Sequence, residues 1–303
     1  SGNPDITISN NQVTGSAVPL NAISVIDGAS GSITGNTVQD HTRSSPWAAC
    51  GILIDNSDGI AVNGNTVENT FYAIDIVGST SSTVSDNTLT DNINRHIMLD
   101  NSTNCQVSGN TINGSGGTED AAINLLNGSS GNTIGGDSVS EGNTITLVTS
   151  DSCAAPPNLY CIWLGGGTTP AGSNTIQYNV ISGGKRGIQV DSGTTGTVTI
   201  ANNTISNTPT GPNYPIWGIG FMGSDADITS NTLTNTVRPI EFWGAANINV
   251  DGNTIDGAIY EGINLGSASG TKSITNNTIY NVPNSYGIHI RGGNSNAVID
   301  GNE

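Results

Sequence analysis

A short motif, apolar-x-x-Asn-Thr-apolar, returns along the whole chain, as in Ile33-Thr34-Gly35-Asn36-Thr37-Val38 and Val250-Asp251-Gly252-Asn253-Thr254-Ile255. Its Asn falls at Asn11, Asn36, Asn65, Asn87, Asn110, Asn143, Asn179, Asn203, Asn231, Asn253, Asn277 and Asn302, with spacings that run from 22 to 36 residues. Two residues later the chain is apolar at each copy that has one, from Val13 and Val38 through Ile255 and Ile279. Three residues earlier stands Ile or Val in every copy but one, Ser140, and the residue just before the Asn is Gly, Asn, Asp or Ser except at Tyr178. A unit this short cannot bury an apolar face alone, so the copies must stack on one another.

A second signal lies between successive Asn positions, an apolar-x-apolar run behind a small residue: Gly51-Ile52-Leu53-Ile54, Gly187-Ile188-Gln189-Val190, Gly262-Ile263-Asn264-Leu265 and Gly287-Ile288-His289-Ile290. Alternation over three to five residues marks a strand with one buried face. Each repeat therefore contains three short strands: A, the Gly-Ile-x-Ile type; B, ending at the Asn; and C, starting after it. No stretch of ten residues carries a 3.6-residue period. Three short strands per repeat without helices describe one coil of a parallel β-helix. At about 4.8 Å per coil, eleven to twelve coils make a rod roughly 55 Å long. The whole chain, 1–303, reads as one such domain, with longer insertions around 40–50, 113–121, 146–161 and 207–217. The Asn is expected at the bend between B and C, in a left-handed conformation, with its side chain bonded to the Asn above and below. Asn36, Asn65, Asn87, Asn110, Asn203, Asn231, Asn253 and Asn277 are thus structural.

These repeats resemble the right-handed parallel β-helix proteins of the pectin-lyase-like superfamily, including its NosD-type repeats, over Asp5 to Asn302. The resemblance implies a right-handed, single-stranded, all-β solenoid. It leaves function open, because that superfamily includes polysaccharide lyases, glycoside hydrolases, uronate epimerases, tailspikes and adhesins. The catalytic motifs of polygalacturonases, mannuronan epimerases and pectate lyases are absent from this sequence, as is the calcium-binding nonapeptide of toxin-type β-rolls.

Charge narrows the choice. Asp and Glu number 24 against 7 Lys and Arg, a net charge of -17, and only 10% of residues are charged. An acidic chain this poor in bases has no electrostatic footprint for nucleic acid, and no apolar run is long enough to span a bilayer. The bases are also unevenly placed. Arg43, Arg95, Lys185, Arg186, Arg238 and Arg291 fall on strand A or the loop leading into it; only Lys272 lies elsewhere. All four Trp (Trp47, Trp163, Trp217, Trp243) and all three His (His41, His96, His289) share that location. Read coil by coil, the outward positions of A are Ser24, Leu53, Asp75, Met98, Asn124, Trp163, Gln189, Gly220, Glu241, Asn264 and His289, all expected to be exposed.

A face of this kind suits glycans, since aromatic rings stack on sugars and Arg binds hydroxyls or uronates. The expected contacts are Trp47, Trp163, Lys185, Arg186, Trp217, Arg238, Trp243 and Arg291. Two patches contain candidates for catalysis: Asp75 and His96, with Arg95, Asp100, Glu119 and Asp120; and Glu241, Glu261 and His289, with Arg238 and Arg291. Glu241 and Glu261 fall on adjacent coils, which allows carboxylate spacings of about 5–10 Å, within the range glycosidases use. The competing reading makes these patches surface ion pairs and the aromatics the residue of variable loops.

Cys153 and Cys161 bracket a loop that a local disulfide would staple, which fits an extracellular or cell-surface setting. Cys50 and Cys105, two coils apart, are expected to be buried fillers. No metal site or cofactor is expected, with calcium among the acidic residues left open. The chain enters on a B strand and stops inside another, so head-to-tail self-association is an expectation. The leading reading is a structural β-solenoid, a filament, appendage or surface scaffold, with a glycan-contacting A face. The alternative is a polysaccharide lyase, glycoside hydrolase or carbohydrate-binding module using the same face.

Overall fold

The computed structural model describes residues 5–15, 21–42, 49–114, 121–148, 159–206, 217–245, 247–267, 269–283, 285–291 and 296–303. Among these residues there is no helix, and all strands pair in parallel in three sheets. The B strands form a twelve-stranded sheet and the C and A strands one eleven-stranded sheet each, every strand pairing with its counterpart in the next coil. The rod is therefore the three-sided β-helix that the repeat spacing implies. Six of the C-to-A connections contain residues outside the described ones: 16–20, 43–48, 115–120, 149–158, 207–216 and 284.

Inward columns of Ile, Leu and Val fill the rod. Ile52, Ile74, Ile97, Ile123, Ile162, Ile188, Ile219, Ile240 and Ile263 stack in register along the A sheet, all fully buried. Identical branched side chains stacked coil on coil fill the core without voids, and truncating one to Ala costs about 2–5 kcal/mol.

The Asn side chains form an unbroken ladder from Asn11 to Asn302. Each Asn Oδ1 accepts from both the backbone N–H and the Nδ2 of the Asn one coil earlier, as Asn87 Oδ1 does from Asn65 (2.8 and 3.0 Å). Each Nδ2 also donates to a B-strand carbonyl of the preceding coil, as Asn110 does to Val84 (2.9 Å). The bend itself differs from the sequence expectation. The left-handed residue is not the ladder Asn but the one before it: Asn10, Gly35, Gly64, Asp86, Gly109, Tyr178, Asn202, Ser230, Gly252, Asn276 and Gly301 all have φ between 54° and 66°. The two tasks are split, one residue turning the chain and the next tying the coils.

Ser140 is an exception for a physical reason. The B strand of that coil is Thr133–Ile134, and an insertion through the Ser138–Glu141 turn delays Asn143. Asn143 nevertheless keeps its ladder bonds to Asn110 and Asn179 (both 2.8 Å).

Candidate functional site on the outer face of the A sheet

The A strands do not alternate evenly. Tyr72 pairs with Arg95 and Ile74 with Ile97, but Ala73 and His96 between them do not pair, and the same break recurs in coil after coil. The unpaired position turns inward: a Cβ on Gly51 there would meet the core side chain of Val67 at 2.6 Å. His96 occupies this inward position, fully buried. Burial lowers its pKa to about 4, against smaller opposing effects from the Asn113 backbone and Asp91. The structure thus separates His96 from the outer face that holds Asp75.

Because of the break, the outer face carries distinct columns. The first aligns Cys50, Tyr72, Arg95, Ala121, Tyr160, Arg186, Trp217 and Arg238. Guanidinium and aromatic groups alternate within it. Arg95 lies 5.8 Å from the Tyr72 ring, and Arg186 is sandwiched 4.8 Å from Tyr160 and 4.5 Å from Trp217. Arg186 also donates to the Tyr160 hydroxyl. Such stacking holds each charge without neutralising it.

The middle column is the one expected from sequence, in the same register from Ser24 to His289. Its exposure differs from expectation. Asp75, Met98, Asn124, Gln189, Gly220, Glu241 and Asn264 are buried on the outside of the sheet. Neighbouring side chains lie across them: Arg95 donates to the Met98 sulfur (2.9 Å), Arg238 lies 3.7 Å from Glu241, and a Cβ on Gly220 would strike the Trp217 ring at 2.6 Å. Trp163, in this column between Asn124 and Gln189, donates through its indole to Asp191 (2.8 Å) and stacks on Tyr160 (4.6 Å). Burial raises the Asp191 carboxyl, with the Trp163 bond working against it.

Many polar atoms here are buried and have no hydrogen-bond partner within the protein. They are Asp75 Oδ1, Asn124 Oδ1, Gln189 Oε1, Trp217 Nε1, Glu241 Oε2, Glu261 Oε2 and Asn264 Oδ1. The amides spend their N–H groups on the protein and keep the carbonyl unused: Asn124 donates to Trp163 O and Gly165 O, and Asn264 donates to Glu241 (2.7 Å). An unpartnered buried polar group costs about 1–3 kcal/mol, so a row of them is not explained by stability.

Two carboxylate clusters lie on this face. At Asp75, burial pushes the carboxyl up to about 8, with Asp100 adding to the rise and Arg95 and Cys50 opposing it. Cys50 faces Asp75 (Sγ to Oδ2 3.8 Å), so it is not a core filler, whereas Cys105 packs into the core cluster. Glu119 and Asp120 lie outside the described residues. At the other cluster Arg238 bridges Glu241 (3.7 Å) and Glu261 (3.9 Å), and Glu261 also meets His289 (3.3 Å) and Arg291 (3.9 Å). Burial raises the Glu241 carboxyl, more than Asn264 and Arg238 lower it. Burial also pulls Glu261 upward, but its own backbone N–H, His289 and Arg238 together outweigh that and hold it below the usual range.

The structure therefore gathers Trp163, Arg186, Trp217, Arg238, Trp243 and Arg291 on the outer face, with Lys185 at its edge. Trp47 and Cys153 lie outside the described residues; Cys161 is buried, its Sγ 3.7 Å from Gly183 O. Among the described residues no cluster of His, Cys, Asp and Glu is arranged to hold a metal ion, and no helix is long and apolar enough to cross a membrane. Sequence reasoning missed the ring partners Tyr72, Tyr160, Tyr260 and Tyr286, and the unused amides of Asn124, Gln189 and Asn264. Their signal was an amide at the centre of an otherwise Ile/Val strand.

Comparison with known proteins places this geometry. A family model described as a right handed beta helix region matches residues 1–139 and 50–233. A second, for the periplasmic copper-binding protein NosD, matches residues 171–303. No curated protein sequence matches the chain. Among solved structures, an alginate lyase from Paenibacillus sp. str. FPU-7 aligns over 93% of this chain and 99% of its own at 15% identity, TM-score 0.50. The A-module of the Azotobacter vinelandii mannuronan C-5 epimerase AlgE4 aligns over 97% and 91% at 14% identity, TM-score 0.50. The Dettilon tailspike protein aligns over 99% of this chain but 60% of its own, at 14% identity and TM-score 0.53. At these identities the likeness is one of fold.

Proposed function

The chain belongs to the right-handed β-helix family, and from that premise we propose that it is a polysaccharide-binding rod of the cell exterior, with the ligand along the outer face of the A sheet. The observation that carries this reading is the row of buried, unpartnered polar atoms, most of them acceptors, running from Asp75 Oδ1 to Asn264 Oδ1. Sugar hydroxyls are the donors such a row lacks. Ring faces and guanidinium groups beside the row supply stacking and charge-assisted bonds. The coils repeat every roughly 4.8 Å, so a chain of sugars can meet equivalent groups several times, as a compact ligand cannot.

Gly220 sharpens the test. A Cβ at this position would lie 2.7 Å from both Gln189 Oε1 and Trp217 Nε1. The bare backbone lets an acceptor and a donor close over one point. Gly220→Ala is expected to push both aside, weakening oligosaccharide binding by more than tenfold in calorimetry. Unchanged affinity would count against the reading.

A scaffold role for the same rod is a second reading, favoured by the unbroken ladder from Asn11 to Asn302. Its head-to-tail form predicts rods that lengthen with concentration in light scattering; a monodisperse monomer throughout would remove it.

A further inference from the structure

We propose that Glu241 and Glu261 are the general acid and general base of a glycosidic hydrolysis site within this face, with Arg238 as its movable cover. The inference rests on the polysaccharide-binding reading and adds a reaction to it. Three observations converge on the pair.

The first is placement. Glu241 pairs in register with Asn264, and Glu261 stands three residues before Asn264, so the two carboxylates are diagonal neighbours one coil apart. A single guanidinium, that of Arg238, lies 3.7 Å from Glu241 and 3.9 Å from Glu261, so the two carboxyls flank the width of one side chain. Carboxyl groups separated by about 6.5–9.5 Å leave room for the water of an inverting displacement.

The second is the opposed environments. Glu241 is sealed, 1% exposed; its Oε1 accepts from Asn264 Nδ2 (2.7 Å), while Oε2 has no partner and is free to carry a proton. Glu261 lies among Arg238, His289 and Arg291, and against the pull of burial its own backbone N–H, His289 and Arg238 hold its carboxyl below the usual range. His289 in turn lies against Tyr286, ring centroids 4.8 Å apart and tilted by 35°. Two neighbouring carboxyls driven apart in this way take the acid and base roles.

The third is the cover. Arg238 lies over both carboxylates at 3.7 and 3.9 Å, beyond hydrogen-bond length, and rests 5.2 Å from the Tyr260 ring with its side chain 21% exposed. Such loose contacts let an arriving sugar displace it and reach Glu241.

In the reaction, Glu241 gives its proton to the glycosidic oxygen as the bond from that oxygen to the anomeric carbon breaks. Glu261 takes a proton from the attacking water, whose oxygen bonds the anomeric carbon. One water is consumed and one reducing end appears. The proton on Glu261 returns to Glu241 through solvent, which completes the cycle.

The test uses the full chain with alginate oligosaccharides and α-1,3-linked glucan oligosaccharides, reading affinity by calorimetry and turnover by reducing ends. At least one polymer is expected to be bound and cleaved. Glu241→Gln and Glu261→Gln should each lower kcat by about 10²–10⁴-fold with affinity changed less than threefold. Azide should restore turnover to Glu261→Gly, giving a glycosyl azide, a rescue that a merely structural role would not produce. If Glu261→Gly does not fold, the pH profile of Glu261→Gln decides, since it must lose the acid limb of the wild-type curve. Binding without new reducing ends overturns the hydrolytic site and leaves the binding reading intact. Cleavage that yields unsaturated sugars, or that survives both Gln variants, also overturns it. Failure to bind either polymer removes both.

Discussion

The Asn ladder and the outer face of the A sheet bury similar groups in opposite ways. Inside the B-to-C bend, each amide of Asn36 through Asn277 uses its oxygen and its nitrogen, and none appears among the unpartnered atoms. On the outer face, Asn124, Gln189 and Asn264 are as deeply buried and each leaves its carbonyl unused. The same chemical group is saturated where it holds coils together and unsaturated where it faces outward. Stability accounts for the first arrangement and fails to account for the second.

The contrast can be broken most forcefully at the ladder. Asn110→Ala should strand the Asn87 backbone N–H and remove one bond each from Asn87 Nδ2, the Val84 carbonyl and Asn143 Oδ1, of which Asn87 Nδ2 keeps Val62 O and Asn143 Oδ1 keeps the residue-110 N–H. A loss of about 3–5 kcal/mol is expected from the orphaned N–H and the three other bonds lost, read as a lower urea midpoint with oligosaccharide affinity retained by the folded fraction. A smaller loss than that of an outer-face variant would undo the contrast.

Asp75 gives the next largest effect, and its sign depends on pH. Its folded pKa of about 8 lies above the ordinary 3.8, so between those values the native state holds a proton that the unfolded chain has released. Stability therefore falls as pH rises from about 4 to about 8. Asp75→Asn should leave stability unchanged near pH 4 and raise it by about 2–4 kcal/mol above pH 8. His96 acts in the opposite sense. With a folded pKa of about 4 against the usual 6.5, it stabilises the fold above pH 6.5, and this is lost as pH falls through that interval. Urea midpoints across pH 4 to 9 check both signs.

Tyr178 tests the division of labour at the bend. It holds a left-handed conformation (φ 57°) that its side chain disfavours by about 1–2 kcal/mol. Asn tolerates that conformation, so Tyr178→Asn should raise stability by up to about 1 kcal/mol, measurable as a higher Tm.

The fold was legible because its repeat is written in residue types: Asn at each ladder position, mostly Ile, Val or Leu at the inward ones, and Gly, Asn, Asp or Ser at every turn but that of Tyr178. The turn residue was visible in the pattern yet its role was assigned to the Asn beside it, since both types tolerate left-handed backbone. The outer register of the A strands, Ser24 to His289, was also readable, because period-two alternation survives from Ile52 to Ile54 and from Ile240 to Phe242. What alternation could not reveal was the inward break at Ala73 and His96, which moves His96 into the core. Nor could it reveal burial: Glu241 and Gln189 face outward but are covered by Arg and Trp side chains from a neighbouring column. Such covering depends on side-chain direction between coils, which a linear pattern does not encode.

The most direct measurement pairs stability with binding in one variant, Gln189→Met, which keeps the shape of the side chain and removes its unused oxygen together with the long Nε2 bonds to Val190 O and Asp191 Oδ1 (3.2 and 3.3 Å). If the outer-face carbonyls serve a ligand, its urea midpoint will equal or exceed that of the native chain, while oligosaccharide affinity falls at least tenfold. A chain destabilised as far as Asn110→Ala, with affinity unchanged, would contradict the account.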